Sequence, residues 1–232
     1  MDDEVALPGG QCTPGVVRVG DTVRRPLQQG WEFRHALLRQ LEDRGFPMAP
    51  RLLGIDQQRR EILSYLDGVT IANGEVPLFD IGTMIREFHA ATAGTTLAGN
   101  REVVCHQDIA PWNTVHWNGR LVGLIDFDGA APGDRLDDFA YAAWTFLDIG
   151  SSDATMVRTG LRDLHDGYGL VARDGLSDAV LRQQRRVLEW RRRLADSATD
   201  HATREMSRER VLLIQRQMEW VTRHRSLIDE SI

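Results

Sequence analysis

The feature that most restricts this fold is an Asn-Gly pair, Asn118-Gly119, set between two apolar runs, Thr114 to Trp117 and Leu121 to Ile125. Both residues tolerate a positive φ, so the pair predicts a tight hairpin between two antiparallel strands. A hairpin returns the chain to where it began. The segment just before it, His106-Gln107-Asp108-Ile109-Ala110-Pro111-Trp112-Asn113, and the segment just after it, Asp126-Phe127-Asp128, are therefore expected side by side at one mouth of the fold. That gathers Asp108, Asn113, Asp126 and Asp128 around one small volume.

Carboxylates so close repel and raise one another's pKa unless a cation relieves them. Oxygen donors from Asp and Asn suit Mg²⁺, which takes few protein ligands and completes its shell with water and phosphate. The spacing D-x-x-x-x-N from Asp108 to Asn113, followed by Asp126 on the next turn, is also the kinase arrangement. There the first Asp accepts a hydroxyl proton, and the Asn and the second Asp hold metal. Asp128 stands where a protein kinase has Gly, and it either binds metal or supports the turn. His106 is a candidate metal ligand or, alternatively, a residue that orders the loop.

The rest of the chain is consistent with an α+β protein. Val16 to Val19 and Thr22 to Arg25 read as strands joined by Gly20-Asp21, and Pro26 ends the second. Residues 31–44 have helical periodicity, with Phe33, Ala36, Leu37, Leu38 and Leu41 on one side and Gly45 at the stop. Leu52 to Ile55 and Glu61 to Leu66 read as two more strands. Residues 78–92 form an amphipathic helix, and Val103 to Cys105 a short apolar strand. From 134 onward the chain reads as mostly helical, with breaks near 150–152 and 167–177.

Composition excludes other classes. The formal net charge of -6 lacks the basic footprint of a nucleic-acid binder. No apolar run approaches the ~20 residues of a membrane span. The acidic start, Met1 to Glu4, is unlike a signal peptide. Cys12 and Cys105 are too far apart in sequence to suggest a zinc motif or disulfide framework. A reduced, cytoplasmic protein is expected. All 28 basic residues are Arg, with no Lys, so any phosphate contact must come from Arg or backbone N–H groups.

The run His106 to Asn113, then Gly123 to Asp128, then Gly133-Asp134-Arg135-Leu136-Asp137-Asp138-Phe139-Ala140-Tyr141, resembles the aminoglycoside phosphotransferase and choline kinase superfamily. Its pattern is H-G-D-x-x-x-x-N, I-D-x-x-x-A and G-D-x-x-x-D-L-A. Phe88-His89 and Ser64 to Gly68 extend the likeness, and Gly20 to Pro26 with Glu61 to Tyr65 also resemble a branch of small bacterial phosphotransferases.

The resemblance implies a bilobal protein-kinase-like fold, with a small β-rich N-terminal lobe (1–67) that clamps nucleotide and a larger, mainly helical C-terminal lobe (68–232). It implies an ATP- or GTP- and Mg²⁺-dependent phosphotransferase acting on a hydroxyl of a small molecule. Asp108 would be the catalytic base and Asn113 and Asp126 the metal ligands. Backbone groups of Ser64, Tyr65 and Leu66 would meet the nucleobase, and Asp138 would support the catalytic loop. The family's clamping lysine is replaced by Arg25 or, failing that, Arg24. Its helix glutamate has no clear counterpart: Arg34 or His35 falls near that place, and Glu32 is the nearby acid. The short loop Gly9-Gly10-Gln11-Cys12 would face the phosphates. Two other readings use the same residues: a catalytically degenerate kinase fold that binds a nucleotide or partner, and a metal-dependent phosphohydrolase.

Overall fold

A computed structural model describes residues 4–7, 15–70, 77–169 and 175–232. The loop Gly9 to Cys12 lies outside them. The chain forms two compact units, one of residues 1–74 with 87–132, the other of 75–86 with 133–232.

The first unit holds a five-stranded sheet of β1 (Val5–Ala6), β2 (Val17–Val19), β3 (Thr22–Pro26), β4 (Leu52–Ile55) and β5 (Arg60–Ser64), in the order β1-β2-β3-β5-β4. β3 and β5 run antiparallel, and Arg25 lies directly opposite Glu61. Helix α1 (Trp31–Asp43) follows β3. It ends where Gly45 turns to φ +73°. There Phe46 N–H donates to the Leu41 carbonyl at 2.9 Å and Gly45 N–H to that of Glu42 at 3.0 Å. This is the Schellman closure that favours Gly at that place.

The inward face of α1 differs from the one apolar periodicity suggests. Leu37, Leu38 and Leu41 are buried, but so are Arg34 and His35, while Phe33 and Ala36 are only half-buried. An acid inside the unit draws the two basic side chains in, as shown below.

After β6 (Val69–Thr70) and helix α2 (Leu78–Thr92) come β7 (Val103–Cys105), β8 (Thr114–Trp117) and β9 (Arg120–Leu124). The β8–β9 hairpin is the expected one. Thr114 faces Leu124, Trp117 faces Arg120, and the turn residues Asn118 and Gly119 have φ of +50° and +75°. β6 completes a three-stranded sheet against β8. Under the hairpin ends, Phe88 packs on Phe46 and Phe127 with ring centroids 5.9 and 6.0 Å apart.

The second unit begins with the first part of α2 and continues after β10 (Ala131–Gly133). It contains α3 (Arg135–Phe146), α4 (Ala154–Tyr168), α5 (Leu176–Ser197), α6 (His201–Arg223) and α7 (Arg225–Asp229). Asp134 and Asp137 form a reciprocal capping box at the start of α3, satisfying N–H groups that a helix start leaves open. Phe139 and Tyr168 meet edge-on at 5.6 Å in the core. Two glycines let α2 and α4 touch backbone to backbone. A Cβ on Gly82 would stand 2.1 Å from the Leu164 carbonyl oxygen, and one on Gly167 would stand 2.0 Å from that of Phe79. No described helix is long and apolar enough to cross a membrane.

Candidate active site

The hairpin brings the two acidic segments together in the first unit. Ile125 N–H donates to the Asn113 carbonyl at 2.9 Å, tying the end of one segment to the start of the other. Asn113, nearly buried, sends its amide nitrogen to the carbonyl of Asp108 at 2.9 Å and to Asp108 Oδ2 at 2.7 Å. An amide that donates through Nδ2 presents Oδ1 in another direction, as an acceptor or metal ligand.

His106 joins the same two segments from beneath. Its Nδ1 accepts from Asp108 N–H at 3.3 Å, and its Nε2 lies 3.1 Å from the Ile125 carbonyl. A nitrogen that accepts must be unprotonated, so Nε2 carries the hydrogen and donates. The ring is fully buried, edge-on to Phe127 at 4.7 Å. Through these two bonds His106 links the loop to the end of β9.

Asp126 sits in the left-handed region at φ +67°, a conformation non-glycine residues adopt rarely and at some cost. Its side chain keeps 48% of its surface open. Partial burial pushes its carboxyl above the usual range, the charges of Asp128 and Asp108 add to this, and the Arg25 guanidinium opposes it.

Arg25 projects from β3 into this group. Its Nη1 is 3.6 Å from Asp126 Oδ1, its Nη2 bonds Asp128 Oδ2, and its Nε is 3.1 Å from Glu61 Oε1. Burial disfavours the Arg25 charge, but Asp128, Asp126 and Glu61 outweigh it and hold the guanidinium protonated. Arg24 points to the other face, as alternation along a strand requires; its Nη1 lies 3.8 Å from Asp56. Of the two alternatives, Arg25 is the one brought to the acidic group.

The acid behind Arg25 is Glu61, which sequence reasoning passed over. It is fully buried. Arg34 binds it through Nη2 at 2.9 Å and Nε at 3.3 Å, and His35 Nε2 lies 2.8 Å from Oε2. Arg34 Nη1 continues to Asp128 Oδ1 at 2.7 Å. The resemblance implies a glutamate on the helix, where Glu32 is the nearby acid. Instead the adjacent strand supplies the acid and the helix supplies a second arginine. The signal available in the sequence was a charged residue sharing the inner face of β5 with Leu63, two positions on. Both oxygens of Asp128 are thus engaged by guanidiniums.

The donor set fits a hard divalent cation. Against the two guanidiniums stand the four carboxylates of Asp108, Asp126, Asp128 and Glu61, a formal excess of two negative charges. Asn113 Oδ1 and the open Asp126 carboxylate are the oxygens available to such an ion.

At the expected nucleobase contact, two amides are already taken. Ser64 N–H donates to Arg51 O at 2.9 Å and Tyr65 N–H to Asp21 O at 2.9 Å. The Tyr65 ring lies under the Arg18 guanidinium at 3.7 Å. The Leu66 N–H has no backbone partner among the described residues. Asp138 is fully buried in the first turn of α3, in the second unit. On α5, the arginines at 182, 185, 186, 192 and 193 are exposed. Trp144 is core, with Nε1 bonded to Gln217 at 3.0 Å. Trp112, in the 106–113 segment, keeps 45% of its surface open.

Residues 25–176 match the model of the phosphotransferase enzyme family designated APH. The trifolitoxin immunity protein of Rhizobium leguminosarum bv. trifolii is 34% identical over 198 residues, covering 73% of this chain and 76% of that protein. An ADP-bound aminoglycoside phosphotransferase, APH(2'')-Ib, superposes with a TM-score of 0.61 at 16% identity, covering 95% of both chains. A choline/ethanolamine kinase family protein from Mesorhizobium loti superposes with a TM-score of 0.59 at 18% identity, covering 93% of this chain and 89% of that one. The structural likenesses show the fold: kinase-like, with a smaller sheet-rich N-terminal part and a larger helical C-terminal part.

Proposed function

The chain belongs to the phosphotransferase enzyme family, and on that premise we propose that it transfers the γ-phosphoryl group of ATP or GTP to a hydroxyl of a small molecule with the aid of Mg²⁺. The observation that carries this reading is the Asp108–Asn113 bond at 2.7 Å beside the open Asp126 carboxylate. In this reading residues 1–67 clamp the nucleotide and residues 68–232 carry the chemistry and the acceptor.

Asp108 orients the acceptor hydroxyl and takes its proton as the new P–O bond forms and the bond to the nucleoside diphosphate breaks. Asn113 fixes the Asp108 carboxylate and, through Oδ1, would hold the metal with Asp126. Bound there, Mg²⁺ would neutralise charge on the phosphates. Arg25 braces the same phosphates in place of the family's lysine, offering a fork where Lys offers a point charge. Backbone groups of Ser64, Tyr65 and Leu66 would meet the nucleobase, the Leu66 N–H having no backbone partner among the described residues. Asp138, buried in the first turn of α3, keeps the structural-support role that the resemblance implies. The chemistry is mostly positioning and electrostatics.

A second reading draws on the immunity protein. Its name attaches to protection against a toxin, and a protective protein could modify a toxin or hold it without turnover. A screen of aminoglycosides, macrolides, amino alcohols and sugars with ATP and with GTP tests the first reading. Nucleotide consumption that depends on one acceptor and on Mg²⁺ supports it. Nucleotide binding by calorimetry without turnover on any hydroxyl compound supports the second.

A further inference from the structure

Glu61 contacts no group that the phosphoryl-transfer reading assigns to metal or acceptor, yet it is the most enclosed charge of the cluster. It touches Arg25, Arg34 and His35 at 2.8 to 3.1 Å. The charges alternate outward: Glu61 at the back, the two guanidiniums next, then Asp128 engaged by both, and Asp126 at the open edge, 3.6 Å from Arg25 alone. Each guanidinium is therefore shared between an acid behind it and an acid in front.

We infer that Glu61 is a positioning residue that sets the charge of the metal site from behind, by drawing Arg25 and Arg34 back so that Asp126 keeps an uncompensated negative charge for a divalent cation. The inference rests on the reading of the site as a Mg²⁺-nucleotide centre. Without the Glu61 charge, two guanidiniums would bear wholly on Asp126 and Asp128. The unbalanced charge of the cluster would fall from two to one. A divalent ion feels each missing unit charge doubly, in a partly desolvated place where screening is weak. The arrangement also accounts for Arg at position 25: a guanidinium can address three carboxylates at once, which an ammonium on a single stem does poorly.

The test is the Mg²⁺ concentration needed for half-maximal ADP binding, measured by calorimetry on the full chain, with folding checked by circular dichroism. Glu61→Gln is expected to raise that concentration at least about tenfold. Arg34→Gln combined with Glu61→Gln restores the charge count and is expected to return it to within about threefold of the wild type. Wild-type Mg²⁺ dependence in folded Glu61→Gln, or no recovery in the double variant, overturns the inference. If Glu61→Gln does not fold, Arg34→Gln alone decides, since Glu61 keeps Arg25 and His35. Its Mg²⁺ requirement is expected to be no higher than the wild type's, and a higher one overturns the inference. Wild-type ADP binding with no Mg²⁺ dependence defeats the phosphotransferase reading itself, and shows as such because it needs no variant.

Discussion

Arg25 and Glu61 face each other across the β3–β5 ladder and their side chains meet at 3.1 Å, so a strand-to-strand pair stands where the family resemblance implied a strand-to-helix one. The partner of Arg25 is then fixed by sheet register. It does not depend on where α1 lies. The helix contributes Arg34, which ties the same acid to Asp128.

This pair makes a stability prediction. Arg25→Met leaves Glu61 buried with part of its counter-charge gone. Removing one partner of a buried pair costs about 3–5 kcal/mol. Arg34 and His35 remain on Glu61, so the lower end is expected. Urea unfolding measures it; a loss near zero would mean that Arg25 and Glu61 are not coupled.

Asp108→Asn keeps the size of the side chain and a carbonyl oxygen for the Asn113 amide, but removes the base. Turnover on the acceptor is expected to fall at least about a hundredfold. Nucleotide affinity measured at saturating Mg²⁺ should stay within about threefold, because in the proposed reading Asp108 meets the hydroxyl and not the phosphates. Steady-state kinetics paired with calorimetry separates the two.

Asp126 is expected to trade stability for metal binding. Its folded carboxyl is raised above the ordinary value, so the native state holds this proton more tightly than the unfolded one. The cost of ionisation is absent at pH below the ordinary carboxylate range and fully present above the raised folded value. Asp126→Asn should therefore raise the melting temperature of the metal-free protein at neutral pH and lose Mg²⁺-dependent nucleotide binding. The gain in melting temperature should shrink as the pH is lowered through that window. A fall in melting temperature at neutral pH would show that Asp126 is stabilised, not repelled, by its neighbours.

Gly167→Ala tests the α2–α4 contact. In an open helix interior this change stabilises by about 1 kcal/mol. Here the new Cβ would sit 2.0 Å from the Phe79 carbonyl oxygen, a backbone atom that cannot rotate away. A net destabilisation of about 1–3 kcal/mol or more is expected, the cost of overpacking. Thermal unfolding gives the sign directly.

The parts of this molecule legible in the sequence were those fixed locally. Asn118-Gly119 dictated the turn, the turn set Asp108, Asn113 and Asp126 around one place, and α2 began and ended at the residues its periodicity marks. What escaped depends on long-range register. Nothing near Glu61 announces that it pairs with Arg25, 36 positions earlier, because that pairing exists only once β5 lies beside β3. The burial of Arg34 and His35 escaped for the same reason: a helix face is read as inward by its apolar residues, and here a distant acid made two basic ones inward as well. The resemblance implies an acceptor bound by the helical part, residues 148–232, where the motifs fade.

The most direct measurement is transfer of labelled γ-phosphate from ATP or GTP to members of the acceptor panel by the wild type and by Asp108→Asn, with and without Mg²⁺. A labelled product formed by the wild type with Mg²⁺, and reduced at least about a hundredfold in the variant, is the expected result. Product formed equally by both proteins would contradict the account, as would the absence of any product from a wild type shown to bind the nucleotide.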